Sequence, residues 1–173
     1  MSAPEHRLPA KLHELLDIAI ADIDALDRDL YVPDYGNWLN WSPKEEICYV
    51  CLAGGVMIGR LEFPRDIDVW SPHDYMEEEH ACKLDAIDSL RTGAIETAVE
   101  SIHGERWRAE KPEIVARVET LHRDHQDIFP GTIDFQNDTR ERRSSNFESW
   151  ESWDTHSRPY YQRMRDALRE ADL

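Results

Sequence analysis

The run ICYVCLAGGVMIGRL, Ile47 to Leu61, decides how the rest of the chain is read. It holds two cysteines three apart and three glycines, with no charge before Arg60. Four readings compete: a metal knuckle, a phosphate loop, a membrane segment, or the middle of a core. The apolar part is about 13 residues long, short of the roughly 20 that span a bilayer. Its glycines lie inside apolar sequence and offer phosphates no loop amides. Ser42 can cap a helix, Pro43 suits a first helical position, and Glu45 and Glu46 fall where the helix dipole favours acids. The run therefore predicts a helix over about 47–61 that is apolar on every side and belongs at the centre of a bundle. Cys51, Gly55 and Gly59 then form a ridge of small side chains along which a second helix can approach closely.

Working outward, Leu8, Leu12, Leu15, Ala19, Ile23, Leu26 and Leu30 step by three and four, the stripe of one buried helix face. Further helices are predicted over Asp74 to Arg91, Ala94 to His103 with Gly104 as its stop, Pro112 to about Asp127, and Tyr160 to Ala171. Strand patterns are nearly absent; TIDF, Thr132 to Phe135, is the one candidate. The expected class is mainly α: a helical bundle around the central apolar helix, with a long polar arm. Residues 1–127 read as an acidic helical body, and 128–173 as an arm and closing helix packed on it. Trp38 and Trp41 read as a lid on the core.

The chain of 173 residues carries a formal net charge of −16, and all of the excess lies before Thr139. Such a body repels nucleic acid and anionic membrane, and its electrostatic complement is a basic protein. No direct DNA binding and no membrane association are expected. Salt adaptation competes as an explanation, since arginine far outnumbers lysine (Lys11, Lys44, Lys83, Lys111). The Met1 to Pro9 segment lacks the apolar core of a signal peptide, and three cysteines are too few and odd for a disulfide framework. A cytoplasmic protein is expected.

The densest acidic face is Glu77, Glu78 and Glu79, continued by Asp85 and Asp88. Its opposite is Arg140, Arg142 and Arg143, near Trp150 and Trp153 in the arm. These ten residues are the candidate partner-binding set. Arginine interleaved with aromatics can bind RNA or protein, but here docking on the chain's own acidic body, or on that of a second copy, is preferred, which makes homo-oligomerisation through the arm conceivable.

Candidates for catalysis are weaker. Cys48-x-x-Cys51 with His80-x-Cys82 has a zinc-knuckle spacing, yet thiols in an apolar helix are commonly inert packing. His73-Asp74 resembles the pair of the all-α metal-dependent HD phosphohydrolases, and His122 and His125 stand at a possible ligand spacing. Asp74 is equally explained by its place near a helix start. No metal, cofactor or catalytic residue is assigned.

The segments CYVCLAGGVM, KLDAIDSLRTG and AIETAVESI resemble a pattern found in small accessory proteins of tailed phages and prophages: a tryptophan-bearing segment, C-x-V-C-L-A-G-A-V-M, then A-L-D-x-L-R-x-G. The likeness covers about Asp34 to His103 and departs at Gly55, where alanine is more usual. It implies a setting, the cytoplasm of a bacterial host, and no activity. The expectation is a non-enzymatic accessory protein whose acidic surface binds a basic host protein, as a nucleic-acid mimic or an inhibitor of host defence. A metal-dependent phosphohydrolase and a structural phage component are the alternatives.

Overall fold

A computed structural model describes residues 8–34, 38–130 and 148–173. The first helix, α1 (Leu12–Asp24), buries Leu12, Leu15, Leu16, Ala19, Ile20 and Ile23 along the stripe predicted for it. Its partners are the central segment on one side and the last helix on the other. The fold is mainly α.

The central segment departs from expectation. Ile47 to Leu61 is not one helix: a strand, β3 (Ile47–Val50), precedes a shorter helix, α2 (Leu52–Gly59). Cys48 and Val50 point inward, while Ile47 and Tyr49 are half-buried, the alternation of a strand. The change comes at Cys51, whose backbone is extended (φ −83°, ψ −176°) and whose Sγ accepts from the Gly54 N–H at 3.3 Å. Cys51 is thus the helix cap, and Ser42 to Glu46 form a turn. That turn is closed by Glu46 at φ 56°, and it joins β3 antiparallel to β2 (Leu39–Ser42). A third strand, β1 (Tyr31–Pro33), runs parallel to β3, giving the order β1-β3-β2. A continuous apolar run does not distinguish strand from helix, because neither period is visible in it.

Two glycines of α2 let the chain approach closely. A Cβ on Gly54 would stand 2.0 Å from the Trp38 carbonyl oxygen, and one on Gly55 would stand 2.6 Å from Ile23 Cδ1 of α1. From α2 the chain crosses through 60–71 and a single 3₁₀ turn (Pro72–Asp74) to α3 (Glu78–Arg91). The predicted start at Asp74 is early by one turn, since Pro72 holds a separate turn and Glu77 is the cap. Next come α4 (Ile95–His103), a short α5 (Trp107–Glu110) that the pattern did not suggest, and α6 (Pro112–Asp124). The turn α7 (Trp150–Ser152) runs through a π-helical stretch, Trp153–Ser157, into α8 (Arg158–Glu170).

The core is one continuous cluster. Leu15, Ile23, Leu52, Met57, Leu84, Ile87, Phe129, Trp153 and Tyr161 are all fully buried in it. Helix α8 supplies Tyr161, Met164 and Leu168, and the Tyr161 hydroxyl donates to the Arg91 carbonyl at 3.0 Å. Among the described residues no helix is long and apolar enough to cross a membrane. The TIDF candidate lies outside the described residues.

Candidate functional site

The acidic face begins where the 60–71 crossing meets α3. Ser71 Oγ accepts from the His73 N–H at 3.4 Å and sets the turn Pro72–Asp74. This aims the His73 ring back at α3, where Glu78 and Asp85 stand seven positions apart on one face. Nδ1 lies 3.0 Å from Glu78 Oε2, and Nε2 lies 2.5 Å from Asp85 Oδ2. The two carboxylates, Asp85 first, raise the imidazole's pKa above its ordinary 6.5. In return His73, and after it the Cys82 thiol, lowers that of Glu78. The result is a charge-assisted clamp between turn and helix.

Glu77, the cap of α3, and Glu78 and Glu79 in its first turn are all exposed, where the helix dipole favours negative charge. The other two predicted acids differ. Asp85 is half-buried and engaged by His73, and Asp88 pairs with Arg91 at 2.9 Å, its carboxyl pushed up by burial. The structure therefore brings the 77–79 glutamates together as an outward edge, with Asp85 behind them and Asp88 turned toward the protein.

The arm divides differently. Arg140, Arg142 and Arg143 lie outside the described residues. Trp153 is 0% exposed and belongs to the core, with Nε1 donating to Asp24 Oδ1 at 2.9 Å. Trp150 is half-buried, donates to the Tyr31 carbonyl at 2.9 Å, and carries Arg28 4.2 Å above its ring. Arg28 also grips Asp154 through both oxygens at 2.8 and 2.9 Å, and Arg158 bridges Asp24 and Asp154. Between these guanidiniums, Arg28 foremost, the Asp154 carboxyl falls to about 2. Both tryptophans thus fasten residues 148–157 to the end of α1 and to β1; Trp153 presents no surface to a partner.

The histidine and cysteine candidates have structural positions. Burial pushes the Cys48 thiol up to about 11 and the Cys51 thiol up to about 12, far from the thiolate form that binds metal. His122 donates from Nδ1 to the Phe129 carbonyl and reaches Glu96 with Nε2, each at 3.0 Å, tying α6 to α4. Among the described residues no three His, Cys, Asp or Glu side chains stand together as a metal site. Among the described residues, a shallow cleft of about 230 Å³ lies beside Ser149, Glu151, Ser152, Thr155 and His156, and another of about 120 Å³ beside Lys11, His103, Arg117 and Asp172.

Sequence reasoning missed two aromatic residues next to the acidic edge. Trp70 is 80% exposed and Tyr75 51% exposed, the large apolar side chains most open to solvent among the described residues. Tyr75 packs edge-on against Phe63, with centroids 6.2 Å apart, and its hydroxyl donates to the Asp68 carbonyl at 3.4 Å. The available signal was a tryptophan isolated in a short proline-flanked connection. No protein-family model, curated protein or solved structure matches this chain.

Proposed function

We propose that this chain is a non-enzymatic accessory protein of phage type whose acidic surface binds a basic protein surface in the cytoplasm of a bacterial host, in place of nucleic acid. The observation that carries this reading is the exposure of Glu77, Glu78 and Glu79 at the start of α3, preceded by a crossing segment that adds Glu62, Asp66 and Asp68 and a turn that adds Asp74. The two arginines of that segment are both engaged within the chain: Arg60 pairs with Asp22 at 3.3 Å, and Arg65 lies 5.0 Å over the Trp41 ring and donates to the Glu46 carbonyl at 3.0 Å. The face therefore keeps its negative charge. Opposite charge on a partner speeds encounter and fixes register, and both effects weaken as salt screens them.

The test is capture from a bacterial lysate with the full chain, followed by titration of the purified partner against the wild type and against a triple Glu77→Lys, Glu78→Lys, Glu79→Lys variant. Binding should fall steeply with ionic strength, compete with duplex DNA, and be lost in the variant. Circular dichroism checks that the variant is folded, because Glu78 also holds His73. A partner bound equally by wild type and folded variant overturns the reading.

A further inference from the structure

We infer that the acidic surface recognises arginine, and that the Trp70 indole is the platform on which a guanidinium of the basic partner stacks. This rests on the acidic-surface reading above and adds to it the contact that gives it chemical selectivity.

Trp70 is held outward by a rigid setting. The preceding residue, Val69, is 2% exposed and pairs antiparallel with Leu39, its N–H donating to the Leu39 carbonyl at 2.9 Å. Asp68 Oδ1 accepts from the Trp41 N–H at 2.8 Å. After Trp70, Ser71 caps a turn whose Pro72 is buried and whose His73 is gripped by Glu78 and Asp85. The segment on both sides is thus fixed while the indole stands in solvent. An exposed leucine would need no explanation. A pre-positioned tryptophan is the residue type that dominates binding energy at interfaces.

The chemistry of the occupant follows from how this protein treats its other tryptophans. Arg28 lies over Trp150 at 4.2 Å, Arg108 over Trp107 at 4.5 Å, Arg65 over Trp41 at 5.0 Å and Arg158 over Trp153 at 5.9 Å. Trp38 is partly buried against the core. Among the described residues, no guanidinium covers Trp70. In the chain on either side of it, the carboxylates Asp66, Asp74 and Glu77 are exposed. An uncovered indole in an acidic stretch of chain fits a planar cation, which stacks on the ring and offers N–H groups to carboxylates; guanidinium does both, and ammonium lacks the flat face. A second copy of this chain presenting the same face is disfavoured, because it would set these acids against their own kind.

The experiment titrates the full-length chain with fluorescein-labelled hexa-arginine and, separately, hexa-lysine, following anisotropy and the Trp70 indole N–H resonance. Hexa-arginine should bind about two- to fivefold more tightly, the span of one exposed cation–π contact, and should shift the Trp70 resonance. Trp70→Ala and Trp70→Leu should each bring hexa-arginine down to the hexa-lysine level; the leucine variant keeps an apolar side chain and removes the π face. Equal binding of both peptides, unchanged by either variant, overturns this inference and leaves the acidic-surface reading standing. Failure of both peptides to bind even at low salt overturns that reading together with this one. Self-association of the free chain that Trp70→Ala abolishes also overturns it, since a second copy would then be what covers the indole.

Discussion

Gly54 and Gly55 are neighbours in one helix, yet they face partners of unlike stiffness. The atom nearest a Cβ at Gly54 is a backbone oxygen, that of Trp38, already accepting from the Cys51 N–H at 3.4 Å. At Gly55 it is the Ile23 side chain, with Cδ1 at 2.6 Å and Cγ1 at 2.9 Å, which has more rotational freedom than a backbone carbonyl. Alanine gains about 1 kcal/mol over glycine in a helix interior, and overpacking a tight core costs about 1–3 kcal/mol. With the upper end of that cost applying against a backbone atom, Gly54→Ala is therefore expected to lower stability by about 2 kcal/mol, and Gly55→Ala to change it by less than about 1 kcal/mol. Urea denaturation of the two variants separates these outcomes, and equal losses would mean that the Trp38 carbonyl is not fixed. The four-residue spacing of Gly55 and Gly59 is legible in sequence, and both face α1, against Ile23 and Asp22. The contact at Gly54 is not legible, because it depends on where the chain brings Trp38. Trp70 was illegible for a related reason: exposure is a property of neighbours, and only the pairing of Val69 with Leu39 turns it outward.

The clamp between the 72–74 turn and α3 makes the junction of two elements depend on pH. His73 titrates above its ordinary 6.5 in the folded protein, so its contribution is complete below that value and is lost as pH rises through the raised one. Glu78 titrates below its ordinary 4.5, so its share is present above that value and is lost as pH falls through the lowered one. The clamp is whole between these limits, with Asp85 and Glu78 facing the ring and Cys82 behind Glu78. His73→Gln should thus lower the melting temperature most near about pH 6 and least near about pH 9. A deficit independent of pH would show that only packing was lost. Glu78, Cys82 and Asp85 at i, i+4 and i+7 announce a shared face, but nothing in sequence says that His73 closes over it. Element boundaries were legible to the same degree. The α1 stripe, the start of α4 and the Pro112 opening of α6 follow from apolar period and stop signals. The strand β3 does not, because Ile47 to Val50 is fused to an apolar helix and only the extended backbone at Cys51 divides them.

At the scale of the whole molecule, cations are used internally while carboxylates are left over. Lys11 pairs with Asp172, Arg60 with Asp22, Arg91 with Asp88 and Arg165 with Asp17. Among the described residues the excess carboxylates therefore lie on the outside, and the net −16 of the chain is a field that favours a basic partner and at the same time strains the folded chain by self-repulsion. Screening acts on both effects, with opposite consequences. Between about 0.1 M and 1 M salt the Debye length falls from about 10 Å to about 3 Å, so repulsion between carboxylates on separate elements is largely removed. The isolated protein should then become more stable, each 1 kcal/mol of relief raising the melting temperature by about 2–4 °C, while affinity for hexa-arginine drops across the same titration. Salt adaptation by itself accounts for the first trend and requires no fall in the second. A melting temperature that declines with salt would mean that the exposed ion pairs outweigh the repulsion, and the excess charge would then cost the fold nothing that binding a basic partner could relieve.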